Sequence, residues 1–200
     1  MKFLTFFSAF LITTLMTLGV AQAATLAYSA ALSGAAESPP NLSTGTGAAQ
    51  VWVDPSAHFL RVKFDFGGLV GPLTAAHIHG PTATAGAGTA GVMTAVPYFP
   101  SLAVGVISGN YDMTFDTSQA STFNPSFVTA QGSLANAEAS FFASLASGTA
   151  YLNLHSSVYP GGEIRGFLQP AAIPLPATLP LALSGVGALV SIRKRRRHSA

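Results

Sequence analysis

Apolar and polar residues alternate in short runs through the middle of the chain, and each run ends at turn residues. Leu26, Tyr28, Ala30 and Leu32 alternate with small residues before Gly34, and Ala49, Val51 and Val53 do the same before Asp54-Pro55. Leu60, Val62, Phe64 and Phe66 interleave with Arg61, Lys63 and Asp65, and Gly67-Gly68 closes the run. A period of two with such punctuation marks half-buried strands. Further runs over 73–79, 91–96, 104–115, 149–155 and 163–169 predict more of them. Strands at this spacing predict an all-β, antiparallel sandwich or barrel. Trp52, a lone tryptophan on a strand, is expected in its core. One stretch changes period. Leu134, Ala137, Phe141 and Leu145 recur at helical spacing, with Ser133 able to cap the start and Gly148 to stop the end. This predicts one short helix over 133–145. The Gly/Ala/Thr stretch 80–91 and the Ser/Asn/Pro stretch 116–126 read as surface loops.

The two ends follow other patterns. Lys2 precedes a largely apolar run over 3–18, and Ala21-Gln22-Ala23 supplies small residues at signal-peptidase positions. Residues 1–23 therefore read as a signal peptide cleaved after Ala23. At the other end, Ile173-Pro174-Leu175-Pro176-Ala177 leads into an uncharged run of 18 residues, 175–192, and then Arg193-Lys194-Arg195-Arg196-Arg197. Eighteen residues is the short end for a transmembrane helix, and basic residues after it keep that end cytoplasmic. The order of parts resembles a bacterial PEP-CTERM sorting signal, in its variant with a Val-Pro-Leu-Pro-Ala start. The resemblance implies recognition by an exosortase-type protease at the inner membrane, followed by release or attachment at the cell surface. A plain single-span anchor is the alternative.

Location changes the meaning of the charge. The 200-residue chain carries a formal +2. Residues 24–172, however, hold Arg61, Lys63 and Arg165 against seven carboxylates, a net of −4. The exported part is mildly acidic, so nucleic-acid binding loses its electrostatic basis. The chain has no cysteine, which removes disulfides, thiolate metal sites and a cysteine nucleophile.

Two motifs carry candidate chemistry. In Ala76-His77-Ile78-His79-Gly80-Pro81, alternation puts His77 and His79 on one face of a strand. In Tyr151-Leu152-Asn153-Leu154-His155, it puts Tyr151, Asn153 and His155 on one face, and Glu163 and Arg165 share a face on the next run. If the two runs pair, Asn153, His155, Glu163 and Arg165 form one structural polar cluster that fixes strand register. The alternative is a single copper or zinc ion on His77, His79 and His155, with His58 a fourth candidate and Glu163 orienting an imidazole. Acid–base work by Glu163 and His155 has no marked nucleophile beside it, and no catalytic residue is assigned. Asn41-Leu42-Ser43 fits a glycosylation sequon by chance.

Together with Leu32-Ser33-Gly34-Ala35-Ala36-Glu37 and Tyr159-Pro160-Gly161-Gly162-Glu163-Ile164-Arg165-Gly166, these motifs resemble the CHRD domain, first described in chordin. The match runs over roughly 26–169, within a domain spanning 24–170 and followed by the sorting segment 171–200. It implies an immunoglobulin-like fold with faint similarity to copper/zinc superoxide dismutase and no established activity. The expectation is a secreted or surface-displayed, non-catalytic β domain of the envelope or extracellular matrix, with a protein or polysaccharide partner.

Overall fold

The computed structural model describes residues 25–171. The leader 1–23, the Ile173–Ala177 motif and the expected membrane span all lie outside them. Among the described residues, no helix is long and apolar enough to cross a membrane.

The strands are β1 (Leu26–Ser33), β2 (Thr46–Asp54), β3 (Phe59–Gly67), β4 (Leu73–His79), β5 (Gly109–Asp116), β6 (Tyr151–Ser156), β7 (Ile164–Phe167) and the short β8 (Gln169–Pro170). They form one antiparallel sheet in the order β4-β6-β7-β1-β2-β3-β5, with β8 beside β1, curled into a half-barrel. The all-β expectation holds at that level, as a single curled sheet rather than two packed ones. Alternation sets its two faces. On β3, Leu60, Val62, Phe64 and Phe66 are buried inside the curl, while Lys63 and Asp65 are exposed. Phe64 anchors the core, with the rings of Phe66, Phe99 and Tyr111 at 6.3, 6.3 and 5.1 Å. Burying one such side chain stabilises the fold by roughly 2–3 kcal/mol.

Two α-helices replace the one expected. α2 (Leu134–Ala146) matches the helical spacing: Ser133 accepts from the Asn136 amide, and Gly148 turns the chain at φ 68°. α1 (Pro125–Gln131) begins inside the stretch expected to be loop. Asn124 caps it through the Ser126 amide, Pro125 opens it and Gly132 ends it at φ 80°. These are ordinary start and stop signals, hidden because a seven-residue helix is too short to show a period. Phe123, Phe127 and Phe141 join the two helices to the core, with Phe123 at 6.2 and 5.8 Å from the other two rings.

Two expected strands also change. The 91–96 run joins no strand ladder: it pairs through isolated bridges, His79 to Val92 and Thr94 to Phe123, and Thr94 Oγ1 accepts from the Ile78 amide. Of the 104–115 run, only the portion from Gly109 onward joins the sheet, while Gly105 and Val106 bond the backbone of Leu73. Trp52 is not in the core. Val51 and Val53 take the inward positions of β2, and Trp52 lies half-buried on the outer face under the guanidinium of Arg61.

Candidate functional site

The outer face of the sheet has two unlike halves. Over β2, β3 and β5 it meets solvent. Over β4, β6 and β7 it is roofed by three loops, and the histidines lie under that roof.

Register places them. His77 pairs with Asn153, His79 with Tyr151 and Ala75 with His155 across β4 and β6. Ala76, Ile78, Leu152 and Leu154 point into the apolar core, which sends the histidines to the opposite side. His79 and His155 lean toward each other across the His77–Asn153 pair, with their Nε2 atoms 3.4 Å apart. One ring nitrogen from each of His77, His79 and His155 lies within 4.8 Å of the others.

Backbone carbonyls fix the tautomers. His79 Nδ1–H donates to the Ala90 carbonyl at 3.0 Å, and His155 Nδ1–H to that of Pro160 at 3.0 Å. His77 is reversed, its Nε2–H donating to Pro97 at 2.6 Å. The remaining nitrogens, Nε2 of His79 and His155 and Nδ1 of His77, carry lone pairs. His77 Nδ1 is buried with no hydrogen-bond partner. Burial pushes His77 and His79 down to about 4 and lowers His155 as well, so all three are neutral at pH 7, the form that ligates a metal. Two nitrogens bound at about 2.0–2.1 Å to one tetrahedral ion stand about 3.4 Å apart. The His79–His155 pair already has that spacing, and one nitrogen of His77 lies within 4.8 Å of its counterparts on the other two rings. The cluster fits a three-histidine metal site whose rings are oriented by carbonyls, not by Glu163.

A second layer supports it. The Tyr151 ring stacks on His79 at 5.0 Å, and its hydroxyl meets both the amide and the carbonyl of Ala90. Arg165 lies over Tyr151 and Phe167, at 4.8 and 5.6 Å, and donates to the carbonyls of Ala36 and Gly88. The Glu37 carboxylate approaches Arg165 Nε at 3.8 Å. Burial pushes Glu37 up to about 7 against the pull of Arg165. Gly162 closes this layer at φ 135°. A Cβ there would stand 2.5 Å from Asn153 and 2.8 Å from Glu37.

The expected cluster of Asn153, His155, Glu163 and Arg165 is distributed over three places. β6 and β7 do pair, with Asn153 opposite Arg165. Arg165 turns to Glu37 and the roof, while His155 joins the histidines. Glu163 accepts from Ser43 Oγ at 2.6 Å and the Val70 amide at 2.5 Å. Burial works against its charge, but hydrogen bonds from Ser156, Ser43 and the Val70 and Gly71 amides outweigh it and lower the pKa. Asn41 donates to the carbonyls of Gly162 and Glu163, so the sequon asparagine ties down this same turn. His58 is elsewhere, paired with Glu138 at 2.8 Å. Sequence reasoning missed the roles of Tyr151 and Glu37 and of the carbonyls of Ala90, Pro97 and Pro160. Only Tyr151 had a signal, its parity with His155.

No curated protein and no solved structure matches the chain significantly. Among family models, the CHRD domain matches residues 28–168, a stretch that contains the histidines, their roof and the Glu37–Arg165 layer. With that match over most of its length, the chain belongs to the CHRD domain family.

Proposed function

We propose that this protein is an exported, non-catalytic β domain that holds one copper or zinc ion on His77, His79 and His155. The observation that carries the reading is the set of tautomers. Three separate loop carbonyls take the N–H of three imidazoles and leave each ring its other nitrogen, in a cluster where one nitrogen from each ring lies within 4.8 Å of the others. Without a cation, two lone pairs face each other at 3.4 Å and a third is orphaned, an arrangement that costs free energy. A metal ion relieves all three at once. A purely structural cluster would instead pair donors with acceptors among the rings.

Elemental analysis and titration of the purified protein with copper and zinc test the site. One equivalent of metal is expected, and it should vanish in the double variant His77→Ala, His79→Ala. If the unsubstituted protein takes up no stoichiometric metal, and the double variant merely melts earlier, the cluster is structural.

The export reading rests on the terminal patterns. Signal peptidase and an exosortase-type protease are the proposed processing partners, with the inner membrane the site of a transient anchored form. The mature protein is then secreted or displayed at the surface, where an extracellular protein or polysaccharide is its partner. Mass spectrometry of the mature protein should give an amino end at Ala24 and a carboxy end near residues 173–177. A full-length carboxy terminus held in membranes would support the plain anchor instead.

A further inference from the structure

We infer that the ion this site selects is monovalent copper. The inference rests on the metal-site reading above and adds the choice of ion. Its basis is the charge balance of the pocket. All three ligands are neutral imidazoles, and among the described residues no carboxylate joins them. The chain has no cysteine to supply a thiolate. The two nearest candidates for counter-charge are engaged elsewhere: Glu37 faces Arg165, and Glu163 faces Ser43 and Val70. A positive charge stands beside the histidines. Arg165 lies 4.8 Å from the Tyr151 ring, which itself stacks 5.0 Å from His79.

A metal ion held here keeps its full charge in a pocket whose His77 and His79 walls are buried. The cost of removing an ion from water scales with the square of its charge, so a divalent ion bears about four times the penalty of a monovalent one. Zinc or divalent copper would need a fourth ligand from solvent, a water or an anion, entering beside the half-buried His155, and its second charge would stay uncompensated unless that ligand were anionic. Monovalent copper is satisfied by two or three imidazoles and needs no anion. The pocket therefore discriminates by charge, because no acidic ligand offsets the second charge of a divalent ion.

The test is a set of anaerobic titrations of the purified protein in chloride-free buffer, with monovalent copper under a competing chelator and with zinc alone. Monovalent copper should bind one equivalent and displace zinc, with an affinity at least about a hundredfold higher. Added acetate, a hard anion that binds monovalent copper only weakly, should tighten zinc and leave monovalent copper unchanged, a readout on the unsubstituted protein. His155→Asp, which installs the missing negative charge, should reduce the preference by about tenfold or more. Zinc binding as tight as copper, insensitive to added anion, overturns the choice of ion while leaving the metal site intact. Failure to bind either metal removes both.

Discussion

Two arginines on the same outer face make nearly the same contacts and should matter very differently. Arg61, on the open half, lies over Trp52 and grips Asp112 through two hydrogen bonds of 2.7 Å. Arg165, under the roof, lies over Tyr151 and approaches Glu37 at only 3.8 Å. By contact geometry the first pair is the better one. Yet the side chains of Arg61 and Asp112 are 43% and 37% exposed, against 4% and 6% for Arg165 and Glu37. Water can replace either partner of the exposed pair, whereas nothing can replace Arg165 once the loops have closed over it. Burial, rather than hydrogen-bond length, decides what such a pair contributes.

The largest expected effect breaks the buried member. Arg165→Ala at pH 8 leaves the Glu37 charge without its partner and should cost about 3–5 kcal/mol in urea unfolding. Replacing both residues with apolar or neutral ones, Arg165→Met with Glu37→Gln, should recover most of that. A loss no greater than that of Arg61→Ala would erase the distinction.

Next comes pH. Glu37 sits at about 7 in the folded protein against an ordinary value of 4.5. Between those values the folded state binds more protons, so the stability it contributes at low pH is lost as pH rises through 7. Glu37→Gln should therefore gain on the parent protein by about 2–3 kcal/mol between pH 5 and pH 8. His77 and His79 run the other way. With folded values of about 4 against 6.5, they withdraw stability as pH falls from 6.5 through 4. A Glu37→Gln profile parallel to the parent's would show that the carboxyl is not desolvated.

The roofed half also depends on close backbone packing. A Cβ at Gly166 would stand 2.2 Å from the Ala31 carbonyl, between β7 and β1, so Gly166→Ala should cost about 2–3 kcal/mol. Gly91 has nothing within 4 Å and an ordinary φ, and Gly91→Ala is the matched control, expected to be near neutral. Equal effects at the two positions would mean that the β1–β7 approach is looser than it looks. The smallest effect belongs to the open half, where Arg61→Ala should move the melting temperature by no more than about 2 °C.

Much of the scaffold was legible in advance, because alternation and helical spacing act over a few residues. β3 and α2 are the clearest cases, and the shared face of His77 and His79 followed from parity alone. Trp52 was misplaced by a generic expectation, although its parity opposite Val51 and Val53 pointed outward. Glu163 and Arg165 were grouped because they are two residues apart. β7 begins only at Ile164, and Gly162 turns the chain just before Glu163 at φ 135°. The carboxylate then meets the Ser43 and Val70 loops instead of the arginine.

What the sequence determined by itself is the set of local choices: the alternation that separates inward from outward positions, that His77 and His79 share a face, that no thiolate is available, and that residues 24–172 are acidic overall. What only the tertiary structure decided is the chemistry of that face. Which nitrogen of each imidazole is free depends on the carbonyls of Ala90, Pro97 and Pro160. Whether Arg165 is a buried charge depends on loops around residues 36 and 88. Those acceptors lie in aperiodic segments, and long-range packing, rather than spacing along the chain, brings them to the histidines and the arginine.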